Sequence, residues 1–479
     1  MPDRPNIVLI CVDQWRWDCL SIAGHPAVET PHIDHLANRG VRFTQAHTAV
    51  ASCIAARAGL LTGLSQRTHG RVGYQDGVEW RYPTTLAGEF GKGGYQTVAV
   101  GKMHVHPQRN NVGFDEVILH DGMLHFYGTG RDSDYETWVR RECGPDCGLF
   151  DHGLEANSWV ARPWHLPEYT HPTYWVVSRA AEFLRRRDTT RPFFMFMSFV
   201  APHPPFVPPQ FYLDQYLRQD LPAPPVGDWV GRIPRDLATG RWDHRTQFAQ
   251  LDPRAQHRAQ AGYYGLITQI DHQIGRFLEY MGDHGLAENT LLVFVSDHGE
   301  MLGDHHLRHK ASPYAGSIRV PLIFSCHRGN LVRPVTPRGQ VVELRDIMPT
   351  LLDFAGLPIP SSVEGASLMP AIRGDNKPVR SHLHGEHTWG DLSNHYIHDG
   401  RFKYCWYSQI GLEHLFDTAD DPTEMHDLID SPSHRDIAER LRRLLVQELT
   451  GREEAFVGSD GRLIVGRPIK PTLSHVTVG

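Results

Sequence analysis

A chain of 479 residues is too long for one simple core and, as a soft prior, suggests about two to four domains. Apolar residues make up 40% and charged residues 22%, which excludes a wholly disordered or fibrous chain. Lys plus Arg number 48 against 55 Asp plus Glu, a net charge of −7, so the composition gives no basic excess and no nucleic-acid partner is expected.

The chain opens with charge at Asp3 and Arg4 and only a short apolar run before Asp13. That is not the pattern of a secretory leader, and no stretch approaches the ~20 apolar residues of a membrane span. The expectation is a cytoplasmic protein with no membrane partner. Residues 7–12, 97–100, 193–200, 291–295 and 320–324 form short apolar runs without polar alternation, which read as strands buried on both faces. Between them, residues 173–187 and 263–281 carry apolar side chains at helical spacing. Alternating strands and helices predict an α/β domain: a mainly parallel sheet flanked by helices. Residues 201–234 are rich in proline and read as an ordered loop over the sheet. The pattern changes near residues 374–380. Beyond it, residues 395–397, 402–406 and 414–416 read as short strands and 437–449 as a helix. Two domains are therefore expected, a large α/β domain over 1–379 and a smaller α+β domain over 380–479.

In parallel α/β sheets, ligands bind beyond the carboxyl ends of the strands. There the first run delivers Asp13 and Gln14, the second Lys102 and His104, the third His203, and the fourth Asp297 and His298. Taken singly, each has a bland alternative: a turn cap, a solvated tip or a core histidine. Four together point to a site. Asp13, Gln14, Asp297 and His298 supply three oxygen donors or carboxylates and one imidazole. Hard oxygen ligands favour Ca²⁺, Mg²⁺ or Mn²⁺, and the imidazole makes Mn²⁺ more plausible than in an all-oxygen site. Zinc ranks lower, because a zinc hydrolase shows richer His ligation. The 7 cysteines are sparse and odd in number, so no disulfide framework is implied. Cys143 and Cys147 could form half of a zinc clip, but no second pair follows.

From Ala51 to Gly63, a helical stretch begins beside Cys53 and breaks at Gly63. A helix start favours anions, and Arg57 lies one turn below Cys53 on the same face. A reactive group above a guanidinium suits a tetrahedral oxyanion. The bland alternative is a buried structural cysteine.

This segment resembles the signature of type I (formylglycine-dependent) sulfatases in the alkaline phosphatase superfamily. In that family the Cys of C-x-P-x-R is oxidised to formylglycine, and a helix and Thr-Gly follow. Other segments are similar to the family in the same order. They are the opening strand ending at Asp13; the run Gly101, Lys102, Met103, His104; the run from Pro202 to Phe206 around His203; and the run Ser296, Asp297, His298, Gly299. Lys310 with Tyr314, Arg319, Val320 and Pro321, then the run from His414 to Asp417 with Asp421, Pro422 and Glu424, complete the likeness. There are departures. Ala55 stands where the motif usually has Pro, and Ala315 where a Glu often follows the Tyr. Gln14 and His298 replace the Asp and Asn of many members and are similar to bacterial relatives, including phosphonate monoester hydrolases.

The resemblance implies an alkaline-phosphatase-like fold and hydrolysis of sulfate monoesters of a carbohydrate or an aryl alcohol. The cofactors it implies are one divalent cation and formylglycine made from Cys53. Cys53, Arg57, Lys102, His104, His203 and Lys310 are the expected catalytic residues, and Asp13, Gln14, Cys53, Asp297 and His298 the expected metal ligands. A hydroxyl of the hydrated aldehyde is the expected nucleophile, with Asp297 or Asp13 accepting its proton. Arg57, Lys102 and Lys310 would neutralise the sulfate oxygens. His203, assisted by Lys310, would protonate the leaving alcohol, and His104 would act as base when the second hydroxyl releases sulfate. A plain thiolate is expected to fit poorly, because neighbouring carboxylates raise its pKa. The expected partners are a small-molecule or saccharide sulfate ester and a formylglycine-generating maturation enzyme. Phe126, Tyr127, Tyr135, Trp138, Trp159, Trp164, Tyr174, Trp175 and Trp389 could stack on the leaving group or serve as core. Two alternatives stand: a phosphonate monoester or phosphodiester hydrolase on the same scaffold, and a non-catalytic binding protein with unconverted Cys53.

Overall fold

A computed structural model describes residues 4–122, 133–233, 248–326 and 337–476. Phe126 and Tyr127 lie outside the described residues, as does Pro234 at the end of the proline-rich stretch. The larger sheet has eight strands in the order β4-β3-β5-β1-β6-β7-β2-β8. They are β1 (Asn6–Asp13), β2 (Gly40–His47), β3 (Gln96–Gly101), β4 (Glu116–Leu119), β5 (Phe193–Pro202), β6 (Thr290–Ser296), β7 (Leu322–Cys326) and β8 (Arg338–Glu343). β1 lies at the centre, parallel to β5 on one side and β6 on the other.

Its side chains explain the layering. Ile7, Leu9 and Cys11 point to a core shared with Ile54, Leu60, Phe90 and Leu351, while Val8, Ile10 and Val12 point to one shared with Trp175, Ile267 and Ile274. A strand covered on both faces has no reason to alternate polar and apolar residues, which is why its run is unbroken. The sheet is thus sandwiched between helices Cys53–Thr62 and Ile347–Phe354 on one side and Pro172–Arg186 and Pro253–Asp283 on the other.

Several expectations need correction. The strand expected at 320–324 runs over Leu322–Cys326 and is antiparallel to both β6 and β2. The helix expected at 263–281 begins ten residues earlier, at Pro253, where Asp252 caps the first turn by accepting from the Arg254 N–H. Its polar opening turns hid that start. The proline-rich stretch is not all loop, since it holds the helix Gln210–Leu217. β2, β4 and β8 mix polar and apolar residues and were not anticipated.

The second sheet is antiparallel, in the order β12-β11-β10-β9, with β9 (Leu383–His387), β10 (Asn394–His398), β11 (Phe402–Tyr407) and β12 (Glu413–Asp417). The helix Arg435–Leu449 places Leu441, Leu445 and Leu449 against one face. The other face packs Tyr396, Cys405, Tyr407 and Phe416 onto Trp229 and Tyr314 of the larger unit, so the two sheets share a core. Among the described residues no helix is long and apolar enough to cross a membrane.

Candidate active site

Strand register brings distant residues side by side. Val12 pairs with Ser296 across β1 and β6, so the next residues, Asp13 and Asp297, leave adjacent strand ends. The backbone then turns sharply: Gln14 has φ 72°, and its N–H donates to Asp297 Oδ1 at 3.1 Å. The His298 N–H donates to the same oxygen at 2.9 Å. Gly299 is required next, since a Cβ there would lie 1.9 Å from the Gly316 carbonyl oxygen.

Every residue of the helix Cys53–Thr62 is buried. Small alanines at 55, 56 and 58 let it sink into the core, and its first residue, Cys53, reaches the strand ends. Cys53 Sγ lies 3.1 Å from His298 Nε2 and 3.6 Å from Asp13 Oδ1. His298 Nδ1 lies 3.0 Å from the Gly299 carbonyl, to which it donates. That bond leaves Nε2 as the nitrogen facing Asp13 at 3.4 Å and Asp297 at 3.8 Å, free to ligate a cation. Asp13, Cys53, Asp297 and His298 each offer an atom within 4.8 Å of the others, and all four are buried.

Cations surround this cluster. Lys102 Nζ pairs with Asp13 Oδ2. Arg57 Nε donates to Asp297 Oδ2 at 2.9 Å, and Nη1 donates to the Lys102 carbonyl at 2.8 Å and Ser198 Oγ at 2.9 Å. Arg57 Nη2 is buried and has no hydrogen-bond partner among the described residues. Burial pushes the Asp13 carboxyl up, but Lys102, foremost of the charges around it, holds it well below the usual range. Burial and the charge of Asp13 leave Asp297 raised. The two carboxylates repel each other even with Lys102 and Arg57 beside them, and a further cation between them would relieve that repulsion. For the Cys53 thiol the expectation is corrected. Burial and Asp13 do push it up, but Lys102, Lys310 and His298 prevail and hold it well below the usual thiol range.

Lys310 reaches in from a loop, donating to Gln14 Oε1 at 2.6 Å and lying 2.9 Å from His203 Nε2. His203 Nδ1 donates to the Pro204 carbonyl at 2.7 Å, so Nε2 accepts from Lys310. Burial and Lys310 push His203 down to about 3. The imidazole is therefore neutral in this state and carries no proton aimed at a leaving group. On the far side of Cys53, His104 has φ 57°, held by Asp121 Oδ1 accepting from its N–H at 3.0 Å. Asp76 Oδ1 lies 3.6 Å from His104 Nε2, and Tyr74 Oη donates to Asp76 Oδ2 at 2.7 Å. Burial and Lys102 push His104 down, but Asp76 and Cys53 outweigh them and leave it raised.

The cluster opens into a cavity of about 570 Å³ lined by Cys53, Lys102, His104, His203 and Lys310 at its reactive end. Of the aromatics named from sequence, Tyr135, Trp164 and Trp389 line it. Trp175 packs edge-on against Tyr135 at 5.4 Å, Trp159 lies under Arg308, and Tyr174 lies under Arg276. Sequence reasoning missed Glu300, which binds the Gln14 amide, and Asp76, Tyr74 and Ser198. Glu300 follows His298 by two residues, so its position next to the Asp297 and His298 pair was a usable signal. Asp76 sits in a loop with no pattern around it. Cys143 and Cys147 are free cysteines and belong to neither cluster of ligand-type side chains found among the described residues. The second such cluster is His384, Glu386 and His395. Arg452 holds both oxygens of Glu386, at 2.8 and 3.0 Å, so it reads as a buried ion pair beside stacked imidazoles.

A family model described as Sulfatase matches residues 5–357, and one described as N-sulphoglucosamine sulphohydrolase, C-terminal, matches residues 303–450. The chain is 49% identical over 484 residues to an arylsulfatase of Clostridium perfringens (strain 13 / Type A), covering 99% of this chain and 100% of that protein. It is 29% identical over 493 residues to the multifunctional alkaline phosphatase superfamily protein PehA of Trinickia caryophylli, covering 91% and 94%. The solved phosphonate monoester hydrolase of Agrobacterium radiobacter is 25% identical and matches with a TM-score of 0.76, covering 97% of this chain and 100% of that one.

Proposed function

This chain belongs to the sulfatase family and is a sulfuric ester hydrolase; from that premise we propose how its residues divide the work and what they act on. The observation that carries the reading is the convergence of Asp13, Cys53, Asp297 and His298 within 4.8 Å, with Arg57 bonded beneath them.

The residues fit a divalent cation. Two carboxylates, the Gln14 amide oxygen and a tautomer-fixed imidazole form a hard donor set, and a cation among them removes the repulsion that raises Asp297. Ca²⁺ is the ion proposed, with Mn²⁺ or Mg²⁺ as alternatives; when bound it supplies Lewis-acid stabilisation and a more acidic nucleophilic hydroxyl. Formylglycine, made from Cys53 by a maturation enzyme, would supply as its hydrate that hydroxyl and a second one for product release.

The chain's own groups do the rest. Arg57 Nη2 and Lys102 Nζ bind nonbridging sulfate oxygens, where developing charge is stabilised by donors already in place. Asp297, with Asp13 second, accepts the nucleophile's proton. His104, backed by Asp76, takes the proton of the second hydroxyl. At the leaving-group side the division differs from the sequence expectation. His203 is neutral and accepts from Lys310, so Lys310 Nζ carries the proton and His203 orients it. Carboxylates, lysines and a neutral histidine surrounding one small pocket suit a singly charged sulfate ester of an aryl or carbohydrate alcohol.

The likeness to PehA and to a phosphonate monoester hydrolase, together with Gln14 and His298, supports a second reading, hydrolysis of phosphonate monoesters or phosphodiesters. One panel separates the two: kcat/KM on 4-nitrophenyl sulfate, 4-nitrophenyl phenylphosphonate and bis(4-nitrophenyl) phosphate, with matured enzyme. The sulfate should be preferred, and a phosphonate or diester turned over faster would overturn this reading. A peptide mass spectrum from the native host should show aldehyde at Cys53. Thiol there would favour a non-catalytic binding role. Cys53→Ser should lose multiple turnover, because a single hydroxyl leaves no second one to release sulfate.

A further inference from the structure

Glu300 is 2% exposed and bonds to the side chain of Gln14, the residue next to Asp13. Its Oε2 accepts from Gln14 Nε2, while Oε1 accepts from the Leu302 N–H at 2.8 Å and the His309 N–H at 2.5 Å. The other end of the Gln14 amide meets Lys310 Nζ at 2.6 Å. This arrangement orients the amide by chemistry alone. A carboxylate only accepts and an ammonium only donates, so Nε2 must face Glu300 and Oε1 must face Lys310. Without the carboxylate, the amide could turn its nitrogen toward the centre, where a cation needs oxygen.

The same carboxylate fastens the loop that brings Lys310. Leu302, His305, His306, His309 and Ala311 all have positive φ without being glycine. Such backbone persists only where surrounding bonds over-determine it, at a cost of order 1–3 kcal/mol per residue. Two N–H groups of that loop end on Glu300, and the Met301 N–H closes it on the His309 carbonyl at 2.7 Å. Lys310 then returns to Gln14 and to His203 at 2.9 Å. The result is a closed circuit from Glu300 through Gln14 and Lys310 and back along the loop.

We propose that Glu300 is a positioning residue for the cation site: it presents the Gln14 amide oxygen to the ion and fixes the Lys310 loop against that amide. This rests on the reading of Gln14 as a ligand. Partners behind a metal ligand typically govern affinity by about 10–100-fold.

The test is Ca²⁺ titration by calorimetry of the full-length, metal-stripped protein, which reads the ion without needing turnover. Wild type is compared with Glu300→Ala, Glu300→Gln, Gln14→Ala and the double variant Glu300→Ala/Gln14→Ala. Glu300→Ala should weaken Ca²⁺ by about 10–100-fold, and Gln14→Ala by a similar factor. The double variant should bind within about twofold of Gln14→Ala alone, because Glu300 acts through that amide. Glu300→Gln keeps the shape and one acceptor oxygen but loses the charge, and should fall between wild type and Glu300→Ala. If the alanine variant does not fold, Glu300→Gln decides, with a weakening of at least about threefold expected. Gln14→Ala weak with both Glu300 variants at wild-type affinity would overturn the positioning role alone. Gln14→Ala at wild-type affinity would overturn the ligand reading and the inference with it.

Discussion

Arg57→Lys tests whether the guanidinium acts on substrate or merely holds Asp297. Arg57 is fully buried and makes three hydrogen bonds, to Asp297 at 2.9 Å, the Lys102 carbonyl at 2.8 Å and Ser198 at 2.9 Å. Nη2 is left over, and a buried donor without a partner costs about 1–3 kcal/mol, so its retention calls for a task. Lysine keeps the positive charge beside Asp297 but has no planar fork, and its three donors on one nitrogen cannot serve Asp297, the Lys102 carbonyl, Ser198 and the sulfate together. Losing one donor already aimed at developing charge costs about 3–4 kcal/mol, or 10²–10³ in kcat. The assay is kcat and KM on 4-nitrophenyl sulfate with matured, metal-loaded enzyme, alongside the unfolding temperature. A fall of that size with little change in unfolding temperature is expected. Arg57→Ala cannot serve, because it strands a buried carboxylate, a loss of about 3–5 kcal/mol that unfolds as much as it informs. A kcat for Arg57→Lys within about threefold of wild type would refute the assignment of Nη2 to the sulfate oxygens.

Acid should destabilise the smaller sheet through Glu386. Burial pushes its carboxyl up, but Arg452 overcomes this and holds it down at about 2, against an ordinary 4.5. Its folded pKa is depressed, so the stabilisation is full above about 4.5 and drains away as pH falls toward 2, worth about 3 kcal/mol in all. Denaturant titrations between pH 6 and 3 should show this loss, and Glu386→Gln, less stable at pH 6, should lose less of its remaining stability over that range; a parallel slope in both proteins would contradict it. Trp389 lines the cavity and is 39% exposed, contributed by the segment after β9. Trp389→Ala should raise KM for naphthyl sulfate by about 2–10-fold, the value of one aromatic stack, and leave methyl sulfate unchanged. An equal effect on both esters would mean the ring packs rather than recognises.

Much of this site was legible in the chain itself. The apolar runs that lead to Asp13, His203 and Asp297 mark strands buried on both faces, and the polar residues just past their ends gather at one edge. Cys53 and Arg57 share a helical face by spacing alone, and that face needed no tertiary information. Tertiary structure decided what depends on distances between segments far apart in the chain. The direction of the Cys53 shift is a balance of burial and Asp13 against Lys102, Lys310 and His298, groups that only the folded chain brings together. His203 is neutral because it is buried and because Lys310, from a loop more than a hundred residues away, approaches its Nε2. Asp76 carries no periodic or motif signal, since loops place side chains through backbone turns that no hydrophobic pattern records. Residue type and spacing thus determined which chemistry was available, while strand register and loop closure decided which atoms face one another, because Coulomb and hydrogen-bond energies depend on separation rather than order.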